Sequence, residues 1–313
     1  MIAFPLAHIG FAVADETTRK AWDAMLRDIF AAGTVYEVLM TPEAEALNLD
    51  RHQTLLAVGD TVLIAATPAG RGLTGESPIG TMLRNHMIPN KWIGIAIAVA
   101  DLDAARAWVR ARGFEPKSYP MMEERYFLLD RNDALGVRLE FLRGDLRNDP
   151  RLKPDWRPEW WRDEHPLGLE GLQSIGVSTP SLEKAREIFA GTFGWPEIST
   201  RYLARDDADC AAFVLGDNVI EAMAPRTTDS PLATHSRDVQ GIYSLTFQVR
   251  SAPAAADYLR GKGFALVGDT ASRFAIDPAH AFGRLLYFTD VPLEGRPPFK
   301  SLIGTPAELP VPA

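Results

Sequence analysis

The chain alternates short apolar runs with amphipathic stretches, and the same order of patterns occurs four times. Each time an apolar run of strand length comes first, and a stretch with helical spacing of its apolar residues follows. Two or three further apolar runs then close the unit, so the pattern predicts a β-α-β-β-β module. The opening runs read LAHIGFAV, WIGIAIAV, LQSIGVST and IYSLTFQV, and the helical stretches read TTRKAWDAMLRDIF, LDAARAWVRARG, SLEKAREIFAGTFG and APAAADYLRGKG.

These units are internal repeats. GDTVLIAATP (59–68) and GDNVIEAMAP (216–225) share one frame and differ most at one position, which is Ile64 in the first and Glu221 in the second. WIGIAIAVADLDAARAWVRARGFE and IYSLTFQVRSAPAAADYLRGKGFA also keep one constant offset. Unrelated α/β units with generic patterns are the alternative, but they do not explain a constant offset.

Such a module leaves one sheet face that it cannot cover alone, so we expect modules to pair. The predicted fold class is α+β, with four β-α-β-β-β modules paired into two cup-shaped mixed sheets. The modules are placed at about 4–70, 90–143, 169–226 and 240–290.

The organisation predicted from these repeats has two halves. Residues 1–143 form the first module pair and residues 169–295 form the second, followed by a C-terminal tail at 296–313. The intervening segment 144–168, GDLRNDPRLKPDWRPEWWRDEHPLG, is too polar and too rich in proline for a strand or a long helix. Because it carries three tryptophans, we expect this linker to lie ordered against the two halves.

Composition narrows the range of partners. Hydrophobic residues make up 46% of the chain and charged residues 24%, as in a soluble globular protein. The net charge of −8 argues against nucleic acid and against an anionic membrane surface. A single cysteine, Cys210, excludes an internal disulfide. The start of the chain does not read as a signal peptide, and no apolar run has membrane-spanning length. We therefore expect a cytoplasmic protein with a small organic substrate, and homodimer formation stays open.

The HIGFAV and SIGVST openings, the LEKAREIF type of helix and the closing strands GDNVIEAMAP and GVRLEF resemble the vicinal oxygen chelate superfamily. That group includes glyoxalases, methylmalonyl-CoA epimerases, extradiol dioxygenases and drug-sequestering resistance proteins. The resemblance covers the chain apart from the linker and the tail, and it points to the fold more specifically than to an activity.

The resemblance also implies where a metal would bind. In that superfamily two paired modules form a cup, and the metal is held by a His or Gln in each first strand and a Glu in each last strand. The matching positions of the first pair are His8, Ile64, Gly94 and Glu140, and those of the second pair are Ser174, Glu221, Ser244 and Tyr287. Neither set is complete. Ring cleavage by an extradiol dioxygenase would require two histidines and a glutamate at three positions of the second set, which are Ser174, Ser244 and Tyr287 here.

His8 and Glu140 are the candidate catalytic residues of the first cup. Both have a structural alternative, since His8 could be a buried core residue and Glu140 could form an ion pair with Arg138 on the same strand face. The candidate substrate-binding residues are Arg138, His52, Gly94, Ile64 and Tyr126, with space for the substrate expected beside Gly94. His52 is also a candidate third metal ligand beside His8 and Glu140. Glu221 has no cation nearby in the sequence.

We therefore interpret the chain as an enzyme, a lyase, isomerase or epimerase that transfers a proton at a site around His8 and Glu140. Arg138 would hold an anionic group of the substrate. Two alternatives remain. One is a metal-dependent, glyoxalase-like or dioxygenase-like enzyme with an unusual ligand set, and the other is a non-catalytic protein that binds a small molecule. The cofactor prediction is accordingly none, or one divalent metal ion.

Overall fold

A computed structural model describes residues 6–38, 51–68, 91–118, 123–143, 153, 156–238 and 240–299. The strands of the first half are β1 (Leu6–Ala12), β2 (Gly33–Val38), β3 (Arg51–Val58), β4 (Thr61–Pro68), β5 (Lys91–Val99), β6 (Tyr126–Leu128) and β7 (Arg138–Arg143). Those of the second half are β8 (Leu169–Ser178), β9 (Glu197–Leu203), β10 (Ala208–Leu215), β11 (Asn218–Pro225), β12 (Gly241–Val249), β13 (Leu266–Asp269), β14 (Arg273–Ile276) and β15 (Leu285–Thr289).

The helices connect and cover these strands. They are α1 (Glu16–Phe30), α2 (Leu102–Arg110), α3 (Pro158–Asp163), α4 (Leu182–Ala185, continued by the π-helical Arg186–Thr192), α5 (Pro231–Asp238) and α6 (Ala252–Gly261). Helix α1 begins where the Asp15 carboxylate accepts a hydrogen bond from the Thr18 amide at 2.7 Å. No helix among the described residues is long and apolar enough to cross a membrane.

The strands form two curled mixed sheets. The first has the order β2-β3-β4-β1-β5-β7-β6 and the second has the order β13-β14-β15-β12-β8-β11-β10-β9. In each sheet the opening strands of the two modules pair antiparallel at the centre, and each pairs on its other side in parallel with the last strand of its own module. This arrangement confirms the predicted fold class, four modules paired into two sheets.

Alternation along the strands separates the two faces of each sheet. In β1, Ile9 and Phe11 belong to a large buried core, whereas His8 and Gly10 lie on the other face. The helices cover the core face. Helix α1 contacts both sheets, since the ring centre of Phe30 lies 5.0 Å from the ring centre of Phe247 in the second sheet. We call the face opposite the helices the first cup in the first sheet and the second cup in the second sheet.

The halves are joined by direct bonds as well as by this shared core. The Trp161 indole N–H donates to the carbonyl of Phe30 at 2.7 Å, and the Asp60 carboxylate accepts from the Leu172 amide at 2.8 Å. Trp161 of the linker therefore contacts helix α1 of the first half. Linker residues 144–152 and 154–155 and tail residues 300–313 lie outside the described residues. The boundaries of the halves stay a prediction, because one hydrophobic core runs through both.

Candidate functional site

His8 and Glu140 meet in the first cup although they come from the opposite ends of the first half. Strand register explains the meeting, because His8 of β1 is opposite Ala96 of β5, and Ala96 is opposite Glu140 of β7. The methyl group of Ala96 leaves room for the two longer side chains to approach across it. His8 Nε2 lies 3.8 Å from Glu140 Oε2, with 12% of the His8 side chain and 28% of the Glu140 side chain exposed. Both groups can therefore be reached by a small molecule.

The surroundings of this pair are mostly small and apolar. Ala7, Ala96, Ala98 and Leu142 form a buried cluster on the same side of the sheet, and the partly buried Tyr126 packs against it. Ile64, on the far side of β1, belongs to a second apolar cluster that includes Leu55 and Val62. An apolar lining lowers the local dielectric constant and strengthens electrostatic interactions between the pair and a bound substrate.

The structure places His52 away from the first cup, which corrects the prediction for this residue. His52 Nδ1 lies 3.2 Å from Glu16 Oε2, so the imidazole contacts helix α1 on the core face of the sheet. Its neighbour on that face of β3, Thr54, accepts a hydrogen bond from the buried Arg19 of the same helix. His52 is therefore neither a third metal ligand nor a substrate contact beside His8 and Glu140.

Gly94 has a structural role that the sequence did not indicate. A Cβ at this position would collide with the carbonyl oxygen of Arg138 and would lie 2.8 Å from the Arg138 Cβ. The space expected beside Gly94 is therefore filled by strand β7. Arg138 itself is partly buried two residues before Glu140, on the same strand face.

Glu221 is buried in the second cup, and the cation that neutralises it is Arg201. The Glu221 side chain is 3% exposed, and its Oε1 forms an ion pair with Arg201 of β9. Its Oε2 accepts a hydrogen bond from the Ser174 hydroxyl at 2.6 Å. The Cys210 thiol donates to Oε1 at 3.6 Å, and burial raises the pKa of this thiol well above its usual range. Both carboxylate oxygens are thus occupied by protein donors.

A second polar group fills the other end of this cup. The Tyr287 hydroxyl accepts a hydrogen bond from Arg205 and lies 3.2 Å from Asp206 Oδ1, to which Tyr243 donates at 2.9 Å. Burial raises the pKa of Tyr287 to about 12, so this phenol stays protonated at neutral pH. Ser244, the remaining predicted residue, is buried against Gly176, where a Cβ would collide with its hydroxyl.

Sequence reasoning missed three of these polar residues, namely Arg201, Arg205 and Asp206. Arg201 lies two strands away from Glu221, because β10 is hydrogen-bonded between β9 and β11. Nothing in the residue spacing signals such a pair. The only relevant signal in the sequence is the alternation of side chains in EISTRYL, which places Arg201 and Ser199 on one face of a strand.

The described residues do not supply a usual metal site in either cup. A catalytic divalent ion generally takes at least three protein ligands, and the described part of the chain contains no group of three His, Cys, Asp or Glu side chains that could hold a metal ion. The first cup offers the imidazole of His8 and the carboxylate of Glu140, with Ile64 and Gly94 at the other two positions. In the second cup Arg201 takes the place of a cation beside Glu221.

Comparisons with known proteins agree with this architecture. Residues 173–279 match the family model described as Glyoxalase/Bleomycin resistance protein/Dioxygenase superfamily. A mutant of 4-hydroxymandelate synthase from Streptomyces coelicolor is similar in structure with a TM-score of 0.66 and 14% identity, over 92% of this chain and 92% of that chain. The 2,3-dioxygenase LapB from Pseudomonas sp. KL28 is similar in structure with a TM-score of 0.59 and 11% sequence identity, over 95% of this chain and 95% of that chain. A search of curated proteins found no match.

The expected resemblance is thereby confirmed. The chain has the vicinal oxygen chelate fold over nearly its whole length, with four modules and two cups. At these identities the likeness concerns the fold, and the chemistry has to be argued from the residues in the cups.

Proposed function

We propose, starting from the vicinal oxygen chelate fold of this chain, that it is a small-molecule enzyme that transfers a proton at the His8–Glu140 site. The observation that carries this proposal is the 3.8 Å approach of His8 Nε2 to Glu140 Oε2 in a partly open, apolar cup. At this distance the imidazole and the carboxylate form an ion pair when His8 is protonated, and they are too far apart for a direct hydrogen bond. A substrate bound between them can lose a proton to one and receive a proton from the other.

The reaction class follows from having an acid and a base side by side without a nucleophile between them. A carbon next to a carbonyl group is the position whose proton such a pair can remove, with the imidazole donating to the carbonyl oxygen as charge develops there. Return of the proton to the other face or to another atom gives an epimerase or isomerase, and loss of a leaving group gives a lyase. Arg138, near the pair on β7, is proposed to hold an anionic group of the substrate.

Hydrogen–deuterium exchange tests the proposal with a panel of substrate classes rather than one chosen compound. The panel of 2-oxo acids, 3-oxo acids and thioesters is incubated in D₂O with the protein, and loss of the α-proton signal is followed by NMR. We expect catalysed exchange for at least one class. Glu140→Gln should remove it, and His8→Ala should lower it by about 10²- to 10⁴-fold, the usual contribution of a general acid or base.

Matched controls separate chemistry from folding. Glu183→Gln and His280→Ala change the same residue types at exposed positions and should leave exchange unchanged. Thermal unfolding of each variant shows whether the fold is intact. Equal exchange in wild-type protein and in both cup variants would refute the proposal. Saturable binding without exchange would instead favour the non-catalytic binding protein, and activity lost on chelation and restored by a divalent ion would favour the metal-dependent enzyme.

A further inference from the structure

The second cup contains two guanidinium groups around one buried tyrosine. Arg273 of β14 lies with its guanidinium carbon 3.9 Å from the centre of the Tyr287 ring, and Arg205 lies 5.2 Å from the same centre. Tyr287 is 1% exposed. Arg205 also donates to the Tyr287 hydroxyl, so both side chains are directed to this residue by contacts that hold them in place.

Positive charge exceeds negative charge at this place. In the part of the chain that the structure describes, neither Arg205 nor Arg273 forms an ion pair with a carboxylate. Glu221 is committed to Arg201, and Asp206, which accepts from the hydroxyl groups of Tyr243 and Tyr287, is the carboxylate beside Tyr287. The three guanidinium groups of Arg201, Arg205 and Arg273 therefore face two carboxylates, and a further anion at this place would be electrostatically favourable. This local excess is opposite in sign to the net charge of −8 of the chain.

Two buried polar atoms beside Tyr287 have no hydrogen-bond partner among the described residues. They are Nε of Arg273 and the hydroxyl oxygen of Thr246. Thr246 is paired with Tyr287 in the strand register, and the Arg273 guanidinium lies over the Tyr287 ring, so both residues are neighbours of Tyr287. Buried donors are normally satisfied, and an orphan donor beside a guanidinium group indicates that an acceptor belongs there.

We propose that the second cup binds a small organic carboxylate, held by Arg205 and Arg273 above Tyr287, with the Thr246 hydroxyl as a further hydrogen-bond partner. The planar fork of a guanidinium group matches the two oxygens of a carboxylate. The organic part of the ligand lies against an apolar cluster on the same face, which contains Leu203, Met223 and Leu285. Arg205 is exposed, so the ligand reaches the site from its side of the cup.

This site is separate from the one proposed for proton transfer. It lies in the other sheet, and its residues belong to β14, β15, β12 and the turn after β9. Loss of His8 or Glu140 therefore leaves binding in the second cup unchanged. The two proposals can fail independently.

Isothermal titration calorimetry with benzoate, acetate and inorganic phosphate, at an ionic strength held constant with sodium chloride, tests the inference. We expect saturable binding of benzoate to wild-type protein, with phosphate at least tenfold weaker. Arg273→Gln and Arg205→Gln should each raise the Kd for benzoate at least tenfold. Arg260→Gln, at an exposed ion pair with Asp257, should leave the Kd unchanged.

The outcomes are clear in each direction. Absence of saturable benzoate binding, or equal binding to wild type and Arg273→Gln, overturns the inference. Phosphate binding as tight as benzoate binding overturns the assignment to a carboxylate. If Arg273→Gln lowers the melting temperature, Arg273→Lys decides, since it keeps the charge but loses the planar fork and should still bind benzoate at least tenfold more weakly.

Discussion

Removing the cation beside Glu221 tests how the second cup is stabilised. Arg201→Met keeps most of the volume of the side chain but leaves the Glu221 carboxylate, which is 3% exposed, without its ion-pair partner. Breaking a buried ion pair from one side typically costs about 3–5 kcal/mol, because the remaining charge is buried and uncompensated. Arg201 is 35% exposed and the Ser174 hydrogen bond remains, so we expect a value near the lower end, about 3 kcal/mol.

The double variant Arg201→Met, Glu221→Met should recover most of this loss. Replacing both partners of a buried ion pair by apolar groups of similar volume is often neutral or stabilising, since neither charge then has to be removed from water. The double-mutant cycle should therefore give a coupling free energy of roughly 2–3 kcal/mol between the two positions.

Urea denaturation monitored by tryptophan fluorescence measures these free energies of unfolding. Arg226→Met is the matched control, because Arg226 pairs with Asp209 on the same sheet but is 50% exposed, and it should cost less than about 1 kcal/mol. A loss below about 1 kcal/mol for Arg201→Met, or a double variant less stable than either single variant, would show that the ion pair does not neutralise Glu221 as the structure indicates.

Two further predictions concern the first half. Gly94→Ala should lower the free energy of unfolding by about 1–3 kcal/mol in a urea titration, because the Cβ of the alanine would collide with the backbone of Arg138. An unchanged free energy of unfolding would contradict the close approach of strands β5 and β7 at this position. Burial lowers the pKa of Lys91 to about 8 from an unfolded value of 10.5, so the charged form penalises the folded state. The free energy of unfolding should therefore rise as pH increases from 8 towards 10.5. Lys91→Met should raise the melting temperature at pH 7 and make the free energy of unfolding less dependent on pH between 8 and 10.5. A lower melting temperature for this variant would show that burial of the charged Lys91 does not destabilise the folded state.

The meeting of His8 with Glu140 was predicted from the resemblance to the vicinal oxygen chelate superfamily. In that superfamily the first strand of one module and the last strand of the other contribute residues to one cup. The same reasoning put Ser174 and Glu221 together, and they are joined by a hydrogen bond of 2.6 Å. The roles assigned to His8 and Glu140 stay predictions, because proximity shows what the pair can do and not which substrate it meets.

His52 shows where the strand pattern was ambiguous. In RHQTLLAV four consecutive apolar residues follow the polar start, so alternation does not reveal which face of β3 points to the helix. The structure resolves this, since Leu56 belongs to the helix-covered core and Leu55 lies with Ile64 in the first cup. His52 lies an even number of residues from Leu56 and so points to the same face of β3, where it contacts Glu16 of helix α1.

The sequence by itself determined the modules, their order and the two faces of those strands in which apolar and polar residues alternate clearly. These features depend on the local spacing of apolar residues, and that spacing recurs in each of the four repeats. The tertiary structure alone decided the partners of the buried charges. Arg201 reaches Glu221 across an intervening strand, and Arg205 and Arg273 reach Tyr287 from a turn and from a neighbouring strand of the sheet. Such contacts depend on the length of individual side chains and on the curvature of the sheet at one place. Because the free-energy cost of burying a charge arises only in the folded protein, the need for a partner does not appear as a periodic pattern in the sequence.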